Sequence, residues 1–537
     1  MGGTSRAGGL RIEHPETVRI DGELGGDRRR RSGGAAHEPA LNAQEIELKS
    51  ALKTADLELV DAFTLVAPEE TREAGAPAAP PRRGGTPGPT RVQLDLEADQ
   101  YAVLLLERDG VFTWRLPAQA IAHGRRRRSG KTTDGREQRT VVFDLDAPLA
   151  PAAKGRRRRG PVRDFLFGRL RAVVLRFTAK ALTRITTAQL EKDLHESLVW
   201  IGARDPGEWR ACAPEEVQVR ADDRPRALLL VHGTFSSTRG SFRALATTDE
   251  GRALLDRALA LYSVVLGFDH KTLSLRPDEN AAALIGHLAA VPWPKRPAVD
   301  VVCFSRGGLV TRSFLRGLSA SGFQADVERA VFVGCTNGGT KLADPENWHR
   351  LIDLYTNLGL AACKLGGLFA ATAIPAAVLS EVLEGVSKLV KYLAVEAVTE
   401  GGVPGLAAMQ PGGEFLRSLA QPLAGAANPE CRVVASSFDL AWGRANVEDG
   451  ATSLTRELML HLADGFSDQL MATANDLVVH TESMSALGEN PVVERLALGQ
   501  SERVHHLCYF ATAAVARRLA EWLTPDGPSG SDGTGAR

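Results

Sequence analysis

The chain has 537 residues, and its 65 lysines and arginines balance 65 aspartates and glutamates, so the formal net charge is zero. This length predicts about two to four domains. The composition, 44% hydrophobic and 24% charged, is that of a globular protein. A dedicated nucleic-acid binder needs an excess of cationic side chains, so the zero net charge disfavours that class. The six cysteines form no CxxC pair, which predicts reduced thiols and a cytoplasmic location.

Glycine, proline and arginine dominate much of the first 90 residues. Tracts such as 25–36 and 75–90 contain too few apolar residues to bury a core, so we expect a largely disordered leader over 1–90. Between the tracts, 45–66 is apolar enough to form a strand or a short helix. A disordered tail is expected over 526–537, and no secretory signal is predicted at the N-terminus.

A β-rich module is predicted within 91–215. Apolar and polar residues alternate over 91–97, which is typical of a strand with one buried face. An Arg-Asp-Gly turn at 108–110 separates two apolar runs and predicts a hairpin, and 140–146 predicts a third strand.

Two apolar segments are candidates for helices. In 163–182, apolar residues at helical spacing are separated by arginine and lysine, which predicts a basic amphipathic helix. Such a helix either contacts a membrane surface or packs on a neighbouring domain. The segment 365–380 has no charge, but it is shorter than the roughly 20 residues of a membrane span, so we expect a buried or amphipathic helix there.

After residue 215, strand-like and helical stretches alternate, which predicts an α/β fold with a mostly parallel sheet flanked by helices. Helical stretches are expected at 279–290 and 307–319, and a helical cap insertion at about 343–430. The predicted strands are near-continuous apolar runs, as expected of strands buried on both faces, at 226–234, 261–268, 299–304, 329–335 and 432–438.

Ser305 is the strongest candidate for a catalytic residue. It follows an apolar strand and precedes Gly307-Gly308 and a helix, the arrangement of a nucleophile elbow. An elbow projects the serine hydroxyl above the sheet, and the free N–H groups of the helix N-terminus favour an oxyanion there. Cys303 stands where the G-x-S-x-G pattern has glycine. An ordinary helix-capping serine is the alternative.

A second turn follows the strand at 226–231 and reads His-Gly-Thr-Phe-Ser-Ser over 232–237. The backbone N–H of Thr234 or of Phe235, together with that of Arg306, is expected to form an oxyanion hole.

The segments HGTFSS at 232–237, ENAAAL at 279–284 and CFSRGG at 303–308 together resemble the α/β-hydrolase fold, and within it the bacterial lipase-like branch. The resemblance extends over about 216–525. It implies a catalytic triad in the chain order serine, acid, histidine, so that both partners of Ser305 follow it in the sequence.

For the triad acid, the resemblance points to Asp476, in the segment Asn-Asp-Leu-Val-Val, although Leu477 replaces the usual glycine. Asp439, directly after the strand at 432–438, is the alternative. For the base it points to His506, with His505 as the alternative.

The expected function is that of a serine hydrolase that cleaves carboxylic esters of hydrophobic acyl groups through an acyl-enzyme, with no cofactor or metal. A catalytically silent scaffold or binding protein is the second hypothesis, because Cys303 and Leu477 depart from the pattern. An amidase or peptidase that uses the same residues is the third. The N-terminal module is expected to regulate the enzyme or recruit partners, whose identity is not predicted.

Overall fold

The structure is a computed structural model. It describes residues 3–7, 9–15, 18–21, 43–66, 90–97, 99–108, 111–122, 138–145, 169–178, 191, 194–369, 374–395, 402–421, 428–438, 473–488, 490–501 and 504–524. The chain forms two compact units. The first comprises Met1–Thr186, Ile352–Asn357 and Val386–Thr399, and the second comprises Thr187–Leu351, Leu358–Gly385 and Glu400–Arg537.

The first unit is built on two antiparallel five-stranded sheets, with strand orders β1-β2-β5-β9-β8 and β3-β4-β10-β6-β7. Its helix α1 spans Ala43–Thr54. The strands are β1 (Gly3–Ala7), β2 (Leu10–His14), β3 (Arg19–Asp21), β4 (Glu58–Val66), β5 (Thr90–Glu97), β6 (Gln100–Arg108), β7 (Val111–Arg115), β8 (Gln119–Ala122), β9 (Gln138–Leu145) and β10 (Arg169–Thr178).

Alternating residues of these strands form one apolar core. In β5, Val92, Leu94 and Leu96 are at most 2% exposed, and they pack in a cluster with residues from both sheets. The period-two pattern therefore predicts the buried face correctly. The predicted hairpin is also confirmed, since β6 and β7 pair antiparallel with Arg108 opposite Val111.

The predicted amphipathic helix at 163–182 is wrong where the structure describes it, because 169–178 form strand β10. This strand pairs with β4 on one side and with β6 on the other. Its apolar spacing suits a helix and a strand alike, and pairing with distant segments decides between them. The structure therefore contradicts the helix over 169–178, and the membrane-surface contact predicted from it is not tested.

The expected disorder of 1–90 also differs from the structure, which has strands and a helix within 3–66. Strands of this region pair with strands that follow much later in the chain, β2 with β5 and β4 with β10. Most of the Gly/Pro/Arg tracts 25–36 and 75–90, and the tail 526–537, lie outside the described residues.

Side chains from Ile352–Asn357 cover the edge strand β7 within the first unit. The carboxylate of Asp353 accepts a hydrogen bond from the amide of Trp114 at 2.7 Å, and Asn357 bonds both the N–H and the carbonyl of Phe112. Burial raises the pKa of Asp353 to about 7. These polar side chains satisfy the backbone groups that an edge strand otherwise leaves exposed.

The second unit contains an eight-stranded sheet with the order β12-β11-β14-β13-β15-β16-β17-β18. The first two strands pair antiparallel, and β14 through β18 are parallel. The strands are β11 (Ser197–Trp200), β12 (Arg210–Cys212), β13 (Arg226–Val231), β14 (Val264–Asp269), β15 (Ala298–Phe304), β16 (Asp326–Val333), β17 (Glu430–Phe438) and β18 (Val492–Ser501).

Helices flank this sheet and fill the insertion between β16 and β17. None of the described helices is both long and apolar enough to cross a membrane. They are α2 (Thr238–Phe242), α3 (Asp249–Leu261), α4 (Pro277–Ala290), α5 (Gly307–Gly317), α6 (Trp348–Phe369), α7 (Ile374–Val395), α8 (Pro404–Ala407), α9 (Glu414–Ala420), α10 (Thr481–Met484) and α11 (Ala513–Trp522).

A mostly parallel sheet with a strand–turn–helix corner after its fifth strand in chain order, β15, is the α/β-hydrolase fold. The five apolar runs predicted as parallel strands are confirmed as β13 to β17. The sheet begins at Ser197, before the predicted start at 216. Strands of three or four residues, such as β11 and β12, are too short to give a periodic signal.

Candidate active site

Ser305 occupies a sharp turn between β15 and α5. Its backbone φ is 54°, in the left-handed region that residues with a Cβ rarely adopt. A Cβ at Gly307 would lie 2.6 Å from the carbonyl oxygen of His232, so glycine is required for α5 to approach the end of β13. This strained, tightly packed corner has the form of a nucleophile elbow.

Cys303 replaces the first glycine of the G-x-S-x-G pattern, and its side chain is fully buried. Its Sγ lies 3.4 Å from the carbonyl oxygen of Val331 in β16 and 3.9 Å from Sγ of Cys335. The thiol fills a space in the core, so the corner keeps its form with cysteine at this position.

The structure brings Ser305, His506 and Asp476 together, although the three lie on separate loops. His506 Nε2 lies 2.9 Å from Ser305 Oγ, and His506 Nδ1 lies 2.8 Å from Asp476 Oδ2. The backbone N–H of His506 also donates to the carbonyl of Asp476 at 3.0 Å, which holds the two loops in register. An imidazole bonded in this way can take a proton from the hydroxyl while the carboxylate fixes its tautomer.

The carboxylate of Asp476 is fully buried and accepts hydrogen bonds at both oxygens. Its Oδ1 accepts from the amides of Val478 at 3.0 Å and Val479 at 2.8 Å, which leaves Oδ2 for His506. The loop makes this turn with Leu477 at φ 80°, a conformation that explains why glycine is usual there. Leucine adopts it here with its amide bonded to Asn475 Oδ1.

The sequence offers Asp439 as the alternative acid and His505 as the alternative base. Asp439 lies outside the described residues. His505 is buried next to His506, but its Nδ1 accepts a hydrogen bond from the amide of Leu507 at 3.3 Å and caps the short 3-10 helix His506–Ala511. Burial lowers the pKa of His505 to about 4, against its ordinary 6.5.

We expect His505 to make the folded chain sensitive to acid. Between pH 6.5 and 4 the unfolded chain binds a proton at His505 that the folded chain does not, so stability falls as the pH falls. The full effect is about 3 kcal/mol. His505→Asn keeps a capping oxygen for Leu507, so this variant should lose less stability than the wild type between pH 7.5 and 4.5 in urea unfolding. Equal losses would contradict the expectation.

The loop after β13 lies directly against the serine. A Cβ at Gly233 would be 2.6 Å from Ser305 Cβ. His232 fixes the loop, since its Nδ1 bonds the carbonyl of Gly233 at 2.9 Å and its Nε2 accepts from the amide of His270 at 3.1 Å. Burial lowers the pKa of His232, which favours the neutral ring that this pattern requires.

The sequence leaves Thr234 and Phe235 as alternative donors to an oxyanion, and the hydrogen bonds distinguish them. The amide of Phe235 points to Thr272 Oγ1 at 3.4 Å. Within the described part of the chain, the structure gives no acceptor to the amides of Thr234 and Arg306. These two amides therefore fit an oxyanion hole best.

The side chain of Arg306 is a feature of the site that the sequence did not predict. It is fully buried, and its Nη2 donates to the carbonyl of Leu275 at 2.6 Å and to Asn280 Oδ1 at 2.9 Å. Its Nε donates to the carbonyl of Gly405 at 3.4 Å, and burial lowers its pKa to about 10. Arg306 thus joins the corner to α4 and α8, and Asn280 of the ENAAAL segment supplies one of its acceptors.

The elbow is expected to hold the serine hydroxyl above the sheet, and in this structure Ser305 is covered rather than open to solvent. Ser305 is 1% exposed. Two segments of the insertion lie against residues 232–235, the loop after β13 that is called the oxyanion loop below. Met409 Sδ is 3.8 Å from Thr234 Oγ1, and a Cβ at Gly385 would be 2.7 Å from Cα of Phe235. In the part of the chain that the structure describes, Ser305, His506 and Asp476 are therefore in hydrogen-bonding contact while the serine itself is buried.

Glu381 attaches helix α7 to the segment that follows the oxyanion loop. Its carboxylate accepts hydrogen bonds from Ser237 Oγ and, at 3.2 Å, from Arg243 Nη2. Burial raises the pKa of Glu381, and the bonds to Ser237 and Arg243 oppose that effect.

The solved structures to which the chain is similar include lipase 1 from Pelosinus fermentans, which is 13% identical, with 56% of this chain and 98% of that chain covered and a TM-score of 0.39. The carboxylesterase CesB of Bacillus subtilis is 11% identical over 56% of this chain and 83% of its own, with a TM-score of 0.27. The naproxen esterase of Bacillus subtilis is 13% identical over 57% and 86%, with a TM-score of 0.28. No curated protein matches the sequence.

Two family models match the sequence. Residues 7–177 match the domain of unknown function DUF7362. Residues 196–524, more than half of the chain, match the domain of unknown function DUF7379. The chain belongs to the DUF7379 family.

Proposed function

We propose that the protein is a serine hydrolase that cleaves carboxylic esters through a covalent acyl-enzyme. The observation that carries the proposal is the continuous line of hydrogen bonds from Ser305 Oγ through His506 to Asp476, at 2.9 and 2.8 Å. The amides of Thr234 and Arg306, which have no acceptor among the described residues, lie near the same serine. Nucleophile, base, orienting acid and oxyanion donors are the four parts that acyl transfer requires.

In the proposed mechanism, Ser305 Oγ attacks the ester carbonyl as His506 Nε2 takes its proton. Asp476 keeps the Nδ1 proton of His506 in place and stabilises the imidazolium that forms. The amides of Thr234 and Arg306 bind the oxyanion of the tetrahedral intermediate. His506 then donates its proton to the leaving alcohol, and a water molecule, deprotonated by the same imidazole, hydrolyses the acyl-enzyme.

We propose an ester with a hydrophobic acyl group as the substrate. One side chain that approaches the loop after β13 from the insertion, that of Met409, is apolar, and α6 and α7 bury Leu358, Leu379 and Val382. An apolar acyl chain would gain about 0.8 kcal/mol for each methylene that it buries among such residues.

A catalytically silent scaffold is the second candidate function, and the burial of Ser305 favours it. An amide or peptide substrate would use the same residues and differ only in its leaving group.

Labelling with a fluorophosphonate probe separates hydrolase from scaffold. The wild type should be labelled, with the adduct located on Ser305 by peptide mass spectrometry. Absence of labelling, also after detergent or a lipid interface is added to promote opening, would favour the scaffold.

p-Nitrophenyl esters of increasing chain length, compared with matched p-nitroanilides, then test the substrate class. We expect kcat/KM to rise with acyl length and the anilides to react poorly. Equal inactivity toward all ester lengths would contradict the hydrophobic-ester proposal.

A further inference from the structure

Tyr509 lies one turn after His506 and contacts the same carboxylate. Its side chain is fully buried, and its hydroxyl lies 2.9 Å from Asp476 Oδ2, the oxygen that also faces His506 Nδ1. On its other side the hydroxyl lies 2.7 Å from Ser436 Oγ in β17. Tyrosine thus connects the sheet to the acid of the candidate triad.

The protons in this network can be assigned from the acceptors. Asp476 Oδ2 is a carboxylate oxygen and donates nothing, so the single proton of the Tyr509 hydroxyl points to it. The other nearby acceptor, Met484 Sδ at 3.7 Å, is weaker. Ser436 Oγ must then donate to the Tyr509 oxygen, a bond that makes the tyrosine a better donor. Burial, with the negative charge of Asp476 as the next cause, raises the pKa of Tyr509 well above its ordinary value, so the proton stays on the ring oxygen.

The backbone makes room for this ring. Gly334, which follows β16, has φ 53°, and a Cβ there would lie 2.6 Å from Cε2 of Tyr509. The ring also packs edge-on to Phe304, the residue before Ser305, with centroids 6.4 Å apart. The hydroxyl is therefore held in place by packing on several sides.

We propose that Tyr509 is a positioning residue of the triad: its hydroxyl, supported by Ser436, holds Asp476 Oδ2 and withdraws charge from it. The inference rests on the proposed function, because a triad needs such a residue only if it reacts. Without this bond, Asp476 Oδ2 carries more negative charge and stabilises the protonated form of His506 more strongly. His506 then keeps its proton to higher pH and is less available as a base.

The test compares Tyr509→Phe with the wild type in ester hydrolysis across pH. Phenylalanine keeps the ring and removes only the hydroxyl. We expect kcat to fall about tenfold with KM nearly unchanged, and the acid limb of the pH profile to move up by about half a unit to one unit. Ser436→Ala, which leaves the tyrosine hydroxyl in place, should move the limb in the same direction but less.

Tyr262→Phe is the matched control. Tyr262 is also a buried tyrosine, and its hydroxyl donates to the buried carboxylate of Asp300 at 2.7 Å, near the opposite end of β15 from Ser305. This variant should lose stability without moving the acid limb. An unmoved limb in Tyr509→Phe, in an enzyme whose wild type is active, would overturn the inference and leave the proposed function intact.

A wild type that is neither labelled by fluorophosphonate nor active would overturn the proposed function instead. In that case, NMR titration of the histidine side chains in the wild type and in Tyr509→Phe still measures the effect of the Tyr509 hydroxyl on His506, because it does not require catalytic activity. A shift of the His506 titration to higher pH supports the role of Tyr509, and identical titrations overturn it.

Discussion

Replacing Ser305 with alanine is expected to lower kcat/KM for ester hydrolysis by about 10⁴- to 10⁶-fold and to abolish fluorophosphonate labelling. The loss is large because, in the proposed mechanism, the oxygen of this hydroxyl is the atom of the protein that bonds covalently to the acyl group. Some turnover above the uncatalysed rate should remain, since the amides of Thr234 and Arg306 still bind an oxyanion. Initial rates over a range of substrate concentrations measure the effect.

Ser313→Ala is the matched control for this variant. Ser313 lies on α5, eight residues after Ser305, it is 7% exposed, and its Oγ has no hydrogen-bond partner in the described structure. Removing that oxygen should leave both activity and the midpoint of unfolding close to the wild type. If Ser305→Ala keeps most of the ester hydrolysis while Ser313→Ala behaves as expected, another nucleophile does the chemistry and the proposed triad is wrong.

The elbow could be predicted from sequence because its signal is local. An apolar strand, a serine and two glycines within ten residues determine a strand–turn–helix corner, and the corner is found at Ser305. The same holds for the alternating residues of β5 and for the hairpin of β6 and β7. In each case, neighbours in the sequence carry the information.

Features that depend on distant contacts were missed. The apolar spacing in 169–178 fits two periods, and only β4 and β6, which pair on either side, make it a strand. The roles of Arg306 and Tyr509 likewise arise from partners far along the chain, such as Asn280 and Asp476. No pattern within one segment indicates such a bond.

The choice of acid and base shows how far a resemblance extends. The resemblance gives the chain order of the triad and points to Asp476 and His506. Because His505 and His506 are adjacent in the sequence, the structure is needed to show which of the two faces Ser305. His505 caps the next helix through Leu507, whereas His506 faces Ser305. A shift of one residue turns a side chain to another direction, and a sequence pattern alone does not decide which histidine faces inward.

The sequence predicts a helical cap insertion but not which residues it contacts. The insertion reaches the segment after β13 through Gly385, Met409 and Glu381. The partners in these contacts lie 144 to 175 positions apart, because the insertion follows β16 in the chain while the segment that it contacts follows β13.

Asp476→Asn is expected to lower kcat/KM by about 10⁴-fold and also to lower stability, because its NH₂ group replaces the oxygen that accepts from the Tyr509 hydroxyl. The reason is the orientation of the new amide. Its oxygen must replace Oδ1, because the amides of Val478 and Val479 donate there, so its NH₂ group faces His506 Nδ1. Since two donors cannot face each other, His506 adopts the tautomer with the proton on Nε2 and cannot accept one from Ser305. Steady-state kinetics and thermal unfolding measure the two effects.

Asp439→Asn is the companion variant, because Asp439 is the alternative acid. We expect it to retain most of the activity, and Asp476→Asn to retain almost none. The opposite result would assign the acid to Asp439 and leave the Oδ2 bonds of Asp476 with a purely structural role. Equal and small losses in both would mean that neither carboxylate orients the imidazole, and the line of hydrogen bonds from Ser305 would then have no part in the reaction.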